Sequence, residues 1–180
     1  MKGVVFNIFE DFIVEGWGEE AYEALLDACP LHTKEPFVGP GTYPDTDLIM
    51  LVTRACQRFG VEAPDALRLF GTFMFPELAG RFSTFVEGHT AKSFLMSVHD
   101  VIHVEVRKLF PDAVTPSFHY EDPGGDELVI HYSSKRQLCF LMEGLLDGVG
   151  EHFGVTIERT HDVCMHDGAD ACRFGLRFVS

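Results

Sequence analysis

His103 stands in KSFLMSVHDVIHVEVRKLF, residues 92–110, where Phe94, Leu95, Val98, Ile102, Val106 and Phe110 recur at three- and four-residue intervals. That period is the signature of a helix burying one stripe. His103 lies beside the stripe, so a neutral imidazole there has apolar neighbours and a nitrogen lone pair to offer. Three chemistries are open to it. The ring packs in the core with its nitrogens hydrogen-bonded; it shares a zinc ion with His99, one helical turn back on the same face; or it serves alone as the axial ligand of a haem iron. The second reading, a zinc hydrolase on His99 and His103, lacks the Glu that a zinc-peptidase helix carries between its histidines, and no third ligand is spaced to serve it.

Tyr132-Ser133-Ser134-Lys135-Arg136 is the next candidate. In an extended backbone residues i, i+2 and i+4 face one way, so Tyr132, Ser134 and Arg136 are expected to present a phenol, a hydroxyl and a guanidinium to one point. Arg grips a carboxylate through parallel hydrogen bonds, and two hydroxyl donors complete the shell of a second one. Haem carries two propionates that such a group would suit. The same triplet also makes an ordinary strand end with a surface Tyr, a capping Ser and a solvated Arg. Cys139, His161, Cys164 and Cys172 form a third set, and three thiolates with one imidazole make a tetrahedral structural zinc site. Without metal they are inert, buried thiols. Cys29 and Cys56 have no partner residues near them in sequence and are expected in the core.

The elements that must position these groups follow from periodicity and breakers. Helices are expected over 4–15, 19–29 and 45–60, with Asp45 capping the third. A fourth starts at Ala63-Pro64-Asp65 and is interrupted by Pro76, a loop spans 80–88, and the helix of residues 92–110 is closed by Pro111. Residues 32–43 read as loop. The period then shortens: 117–121 and 127–132 flank the turn Asp122-Pro-Gly-Gly125, residues 137–149 return to helical spacing, and 155–163 and 172–179 alternate. The expected class is α+β: a mainly helical first half, then a four-stranded antiparallel sheet with one inserted helix, all in a single domain over 1–180.

Composition narrows the partners. A formal net charge of -14 argues against a nucleic-acid surface, which needs clustered Lys and Arg, and disfavours anionic membranes. No apolar run nears the roughly 18 residues of a spanning helix, and Glu10 and Asp11 fall where a signal peptide is uncharged. Five cysteines, an odd number, read as thiols or metal ligands in a cytoplasmic protein. Seventeen phenylalanines suit either an aromatic core or a pocket for a flat apolar ligand.

His103 followed by Y-x-S-x-R, in that order, resembles the haem nitric oxide and oxygen binding family, H-NOX, related to the haem domain of soluble guanylate cyclase. The resemblance runs from the MKGVVFN start, through His103 with Pro116 beyond its helix, to the last strand. It implies haem b buried between a helical distal part, about 1–62, and a proximal part, about 63–180. His103 matches the proximal iron ligand, and Tyr132, Ser134 and Arg136 match the propionate clamp. Val5 and Pro116 match positions that press on the haem and bend it, and Phe9, Met74, Leu78, Leu141 and Leu145 match the distal wall. Oxygen-binding members supply a distal Tyr that stabilises dioxygen by a hydrogen bond; here the matching residue is Leu141. The implied ligands are therefore nitric oxide and CO, with dioxygen rejected. Nitric oxide weakens the bond trans to it, so His103 is expected to let go and free its helix to shift.

HDVCMHDGADAC resembles the zinc motif of a subset of the family, with Cys139, His161, Cys164 and Cys172 as ligands. The implied protein is a sensor and not an enzyme, acting on a separate histidine kinase or cyclic-di-GMP enzyme. The competing reading is a redox- or metal-responsive regulator that senses through its cysteine site, with haem structural or absent.

Overall fold

Helix α1 (Gly3–Trp17) buries Phe6, Ile8, Phe9 and Ile13 and leads directly into α2 (Glu19–Ala28). The computed structural model to which these elements belong describes residues 1–33 and 36–179. The expected loop over 32–43 is seen apart from Lys34 and Glu35, which lie outside the described residues. Helix α3 (Asp45–Phe59) ends at Gly60, whose φ of 67° no β-carbon-bearing residue adopts cheaply. The Gly60 and Val61 amides both donate to the Cys56 carbonyl, at 2.9 and 3.2 Å. Asp45 does not cap this helix: Pro44 holds the cap position and the Asp45 carboxylate is drawn elsewhere by cations.

Helix α4 (Ala63–Arg81) runs straight through Pro76, where the sequence implies an interruption, and the anticipated loop over 80–88 holds instead the helix end and a single 3-10 turn, Ser83–Phe85. Proline removes the N–H that the Thr72 carbonyl would have received. That carbonyl lies on the seam where α4 meets α7 (Cys139–Phe153), and the Thr72 hydroxyl donates across it to the Gly144 carbonyl at 3.3 Å. Packing along α7 holds the helix where propensity alone would end it. The approach is close because glycine permits it: a β-carbon on Gly144 would overlap the Arg68 carbonyl oxygen.

The expected single helix over 92–110 is three segments. A Thr90–Ser93 capping box opens α5 (Ala91–Ser97), a π turn occupies Val98–Ile102, and α6 (His103–Leu109) completes the run. Four antiparallel strands come next, β1 (Ser117–Gly124), β2 (Glu127–Ser133), β3 (Thr156–Val163) and β4 (Cys172–Val179), in the order β1-β2-β4-β3. The α+β architecture is as the sequence implies. The register sets Tyr132 on β2 opposite Phe118 on one side and Cys172 on the other, which brings the two candidate sites to one strand.

Two apolar clusters form the core. One gathers α1 to α3 around Phe6, Ile8 and Leu51; the other joins α5, α7 and the sheet around Leu128, Leu146 and Phe174. Helix α4 belongs to both, giving Phe70 and Met74 to the first and Phe75 and Ala79 to the second, while Leu145 of α7 touches each. No described helix is long and apolar enough to cross a membrane.

The α4–α7 seam yields a test. Gly144→Ala must push the helices apart, and overpacking of this kind costs about 1–3 kcal/mol. Thermal unfolding is expected to show that loss, whereas Gly80→Ala, on open surface, is expected to change the midpoint little or raise it.

Candidate functional site

His103 is the first residue after the π turn, and its amide donates to the Val98 carbonyl, five residues back. A π turn carries one residue more than an α turn, which swings everything after it by roughly 100° about the axis. Val98 and Ile102 pack against the sheet-side core, Val101 is turned to solvent, and His103 lands half-buried with its ring 5.5 Å from that of Phe118. Burial pushes its pKa down to about 4, helped by His99 and Arg107, while a backbone interaction with Pro116 pulls the other way. The imidazole is therefore neutral at physiological pH. Its Nδ1 is buried and lacks a hydrogen bond of ordinary geometry.

His99 does not join it in a metal pair. Its Nδ1 accepts the Phe118 amide at 3.2 Å, so the ring spends its lone pair on the start of β1. The zinc-hydrolase reading loses its second ligand.

Phe118 separates His103 from Tyr132 by a single ring, the Phe118 and Tyr132 centroids being 5.6 Å apart. Tyr132 is 4% exposed, and burial pushes its phenol up to about 12 against a hydrogen bond with Ser134. Beyond it the expected alternation fails. Strand β2 ends at Ser133, the Ser134 carbonyl accepts the Gln137 amide at 3.0 Å, and the Ser134 hydroxyl accepts the Arg136 amide at 3.2 Å. The chain turns here, with Gln137 at φ 50°, and sends Arg136 toward α3.

Arg136 grips the Asp45 carboxylate in a forked pair, Nε to Oδ2 at 2.6 Å and Nη2 to Oδ1 at 3.1 Å, and Nη1 donates to the Val114 carbonyl at 2.7 Å. The Met1 ammonium reaches the same carboxylate at 2.5 Å. Burial alone would raise the Asp45 carboxyl pKa, but the bonds from Arg136 and the amino terminus outweigh it and hold it below its ordinary value. Arg136 keeps N–H donors on Nη1 and Nη2 for a further anion. The pairing spans 91 positions of sequence, so nothing local announces it.

Phe9 and Met74 are buried in the helical core, and Val5, Leu78, Leu141 and Leu145 pack against it half-buried. Pro116 immediately precedes β1 and is half-buried. Every one of these side chains is apolar, so none offers a hydrogen-bond donor.

Cys139, His161, Cys164 and Cys172 converge, with one ligand atom from each within 4.8 Å of the others. Cys139 lies 3.7 Å from Cys164, and Cys172 lies 3.9 Å from Cys164, sulfur to sulfur, and all are free thiols. A tetrahedron with zinc–sulfur bonds of about 2.3 Å has sulfur–sulfur edges of about 3.8 Å. The Met165 amide donates to the Cys172 sulfur at 3.2 Å, as an amide does to a thiolate. Burial raises the pKa of Cys139 and of Cys172, and their sulfur neighbours raise that of Cys139 further; a cation in their midst reverses that balance. His161 Nδ1 is 2.6 Å from Glu143 Oε1, and its Nε2 is buried with no hydrogen-bond partner. Glu143 also accepts from Arg68 Nε at 2.5 Å, and these two bonds outweigh burial to hold its pKa below normal. Sequence reading missed Glu143, although it stands one helical turn after Cys139 and so shares its face of α7.

The sequence profile of the Haem-NO-binding family matches residues 2–161. This chain belongs to that family, H-NOX. Its fold is that of the solved members: an H-NOX protein from Shewanella oneidensis in the Fe(II)NO ligation state is 35% identical, with a TM-score of 0.93 and 100% of each chain covered. A variant H-NOX protein from S. oneidensis in the Fe(II) state gives a TM-score of 0.94 at 35% identity, covering 100% of this chain and 97% of that one. Fe(II) unliganded H-NOX protein from K. algicida is 25% identical, with a TM-score of 0.90 over 100% and 97%.

The Asp45–Arg136 fork carries a pH dependence. A carboxylate whose folded pKa lies below its unfolded value of about 3.9 contributes stability above that pH and loses it as pH falls through the folded pKa. Asp45→Asn is expected to flatten the acid limb of the thermal midpoint against pH relative to wild type. Parallel acid limbs would show that the fork does not stabilise the fold.

Proposed function

We propose that this H-NOX chain is a haem-based sensor of nitric oxide in which His103 is the proximal ligand. The observation that carries the reading is a half-buried imidazole, kept neutral by its surroundings, one aromatic ring away from the Tyr132 phenol. The residues present fit haem b. His103 supplies a lone pair, Phe118 and Pro116 flank it, and Tyr132, Ser134 and the spare N–H groups of Arg136 supply donors for propionates. Val5 of α1 and Pro116 before β1 would lie against the haem, and Phe9, Met74, Leu78, Leu141 and Leu145 would line the pocket where a gas binds.

Haem held by His103 would supply a ferrous iron that takes up nitric oxide or CO, with nitric oxide loosening the iron's hold on His103. The chain's own residues do the rest. The apolar distal wall gives dioxygen no hydrogen-bond donor, which supports its rejection. Without a bond at His103, α6 would keep the half-buried packing of Val104 and Val106, the Arg107–Thr115 hydrogen bond and the loop to Pro116, and would be freer to shift. That loop also bonds Arg136 through the Val114 carbonyl, so a shift of α6 reaches the Asp45 fork on α3. Helix α6 is then a two-state element read by a separate protein, a histidine kinase or a cyclic-di-GMP enzyme in the cytoplasm. The free thiols fit that reducing compartment. The chain is a sensor in this reading and catalyses nothing.

Reduced, haem-loaded protein exposed to nitric oxide without air is expected to take on the electronic absorption of a five-coordinate nitrosyl haem, and reduced protein exposed to air alone is expected to show no dioxygen complex. A colourless protein after hemin supply overturns the proposal, and a six-coordinate nitrosyl product with imidazole retained overturns the release of His103.

A second reading, that the thiol cluster holds zinc and responds to oxidants, is favoured by sulfur spacings already matching a tetrahedral ion. Metal analysis is expected to find about one zinc per chain, released by peroxide as the thiolates oxidise. Retention of zinc through peroxide treatment leaves the site purely structural.

A further inference from the structure

We infer that Glu143, itself held by Arg68, is the positioning residue of the Cys139–His161–Cys164–Cys172 centre, an inference that rests on the metal reading of that cluster. A carboxylate only accepts hydrogen bonds, so the contact of 2.6 Å between Glu143 Oε1 and His161 Nδ1 places the ring proton on Nδ1. The lone pair is left on Nε2. That atom is buried and has no hydrogen-bond partner, and the ring belongs to a group whose other members are three sulfurs. Carboxylate, imidazole and metal in this order form the arrangement that fixes a ligand histidine's tautomer and its ring plane.

Glu143 is 6% exposed, so its own charge must be met. Arg68 meets it from α4, with Nε on Oε2 at 2.5 Å, and Arg68 is anchored in turn by Asp65 at 2.8 Å and by the Phe140 face, 4.8 Å from the guanidinium carbon. The guanidinium occupies one carboxylate oxygen and the imidazole the other, so the carboxylate plane is fixed at both ends. A staple between α4 and α7 would need only Arg68 and Glu143. The third partner, aimed from β3 with its far nitrogen unsatisfied, is what a staple does not explain.

The test uses the full, haem-loaded chain with Zn2+ and Co2+ competed against a chromophoric chelator. Glu143→Gln is expected to weaken metal binding about ten- to hundredfold. Its cobalt form is expected to keep the thiolate-to-cobalt absorption, showing the ligands retained. His161→Ala weakens binding too, and in that background Glu143→Gln is expected to add nothing, because its effect acts through the ring. Arg68→Met is expected to weaken binding in the same direction and carries the test by itself if the Glu143 variant does not fold. Unchanged affinity in Glu143→Gln, or an equal loss with and without His161, overturns the inference and makes the network a staple. Wild-type protein that takes up no cobalt with thiolate absorption overturns the metal reading, and this inference with it.

Discussion

An imidazole can bind a metal only while it keeps a lone pair, and burial keeps one on His103 against the opposing pull of Pro116. Burial removes the water that would stabilise a proton on the ring, and the positive charge of Arg107 on the next turn opposes protonation further. The cost of that desolvation is borne by the packing of the π turn against the sheet and by Phe118, which covers the ring from β1. A regular α-helix would carry the same sequence past the sheet with His103 facing a different way. The widened turn at Val98–Ile102 is thus the local irregularity on which the placement of the His103 ring depends.

The second histidine site reaches the same end by other means. His161 is oriented by hydrogen bonding where His103 is kept neutral by burial: a carboxylate takes one ring nitrogen and leaves the other free. The two sites are not separate in the fold. Tyr132 pairs with Cys172 across β2 and β4 and has Phe118 beside it on its other side, so one strand carries both the phenol near His103 and the neighbour of the thiol cluster. Helix α7 likewise gives Cys139 and Glu143 to the thiol–imidazole cluster and Leu141 and Leu145 to the helical core. Helix α4 lies against it closely enough that only glycine fits at the crossing.

Much of this was legible in the sequence because it is local. Apolar periods placed most of the helices, alternation placed the strands, and His103, Tyr132 and the Cys/His set stand out by residue type and spacing. What stayed hidden depends on distant partners. Pro76 reads as a break, and only α7 lying along the Thr72 side lets the helix continue. Ser134 and Arg136 read as the continuation of a strand, but a Ser134 hydroxyl bond to the backbone turns the chain, and Asp45 then captures the guanidinium. Asp45 itself reads as a cap because the cations that draw it away, Met1 and Arg136, are 44 and 91 positions distant in sequence. The π turn has no sequence marker among Val98 to Ile102 that we can name.

Whether His103 is the group bound to iron is tested most directly by resonance Raman spectroscopy of the ferrous, haem-loaded protein. The predicted result is an iron–imidazole stretching band that shifts when histidine is labelled with nitrogen-15, vanishes in His103→Ala and returns when free imidazole is added. A band that persists unchanged in His103→Ala would contradict that assignment.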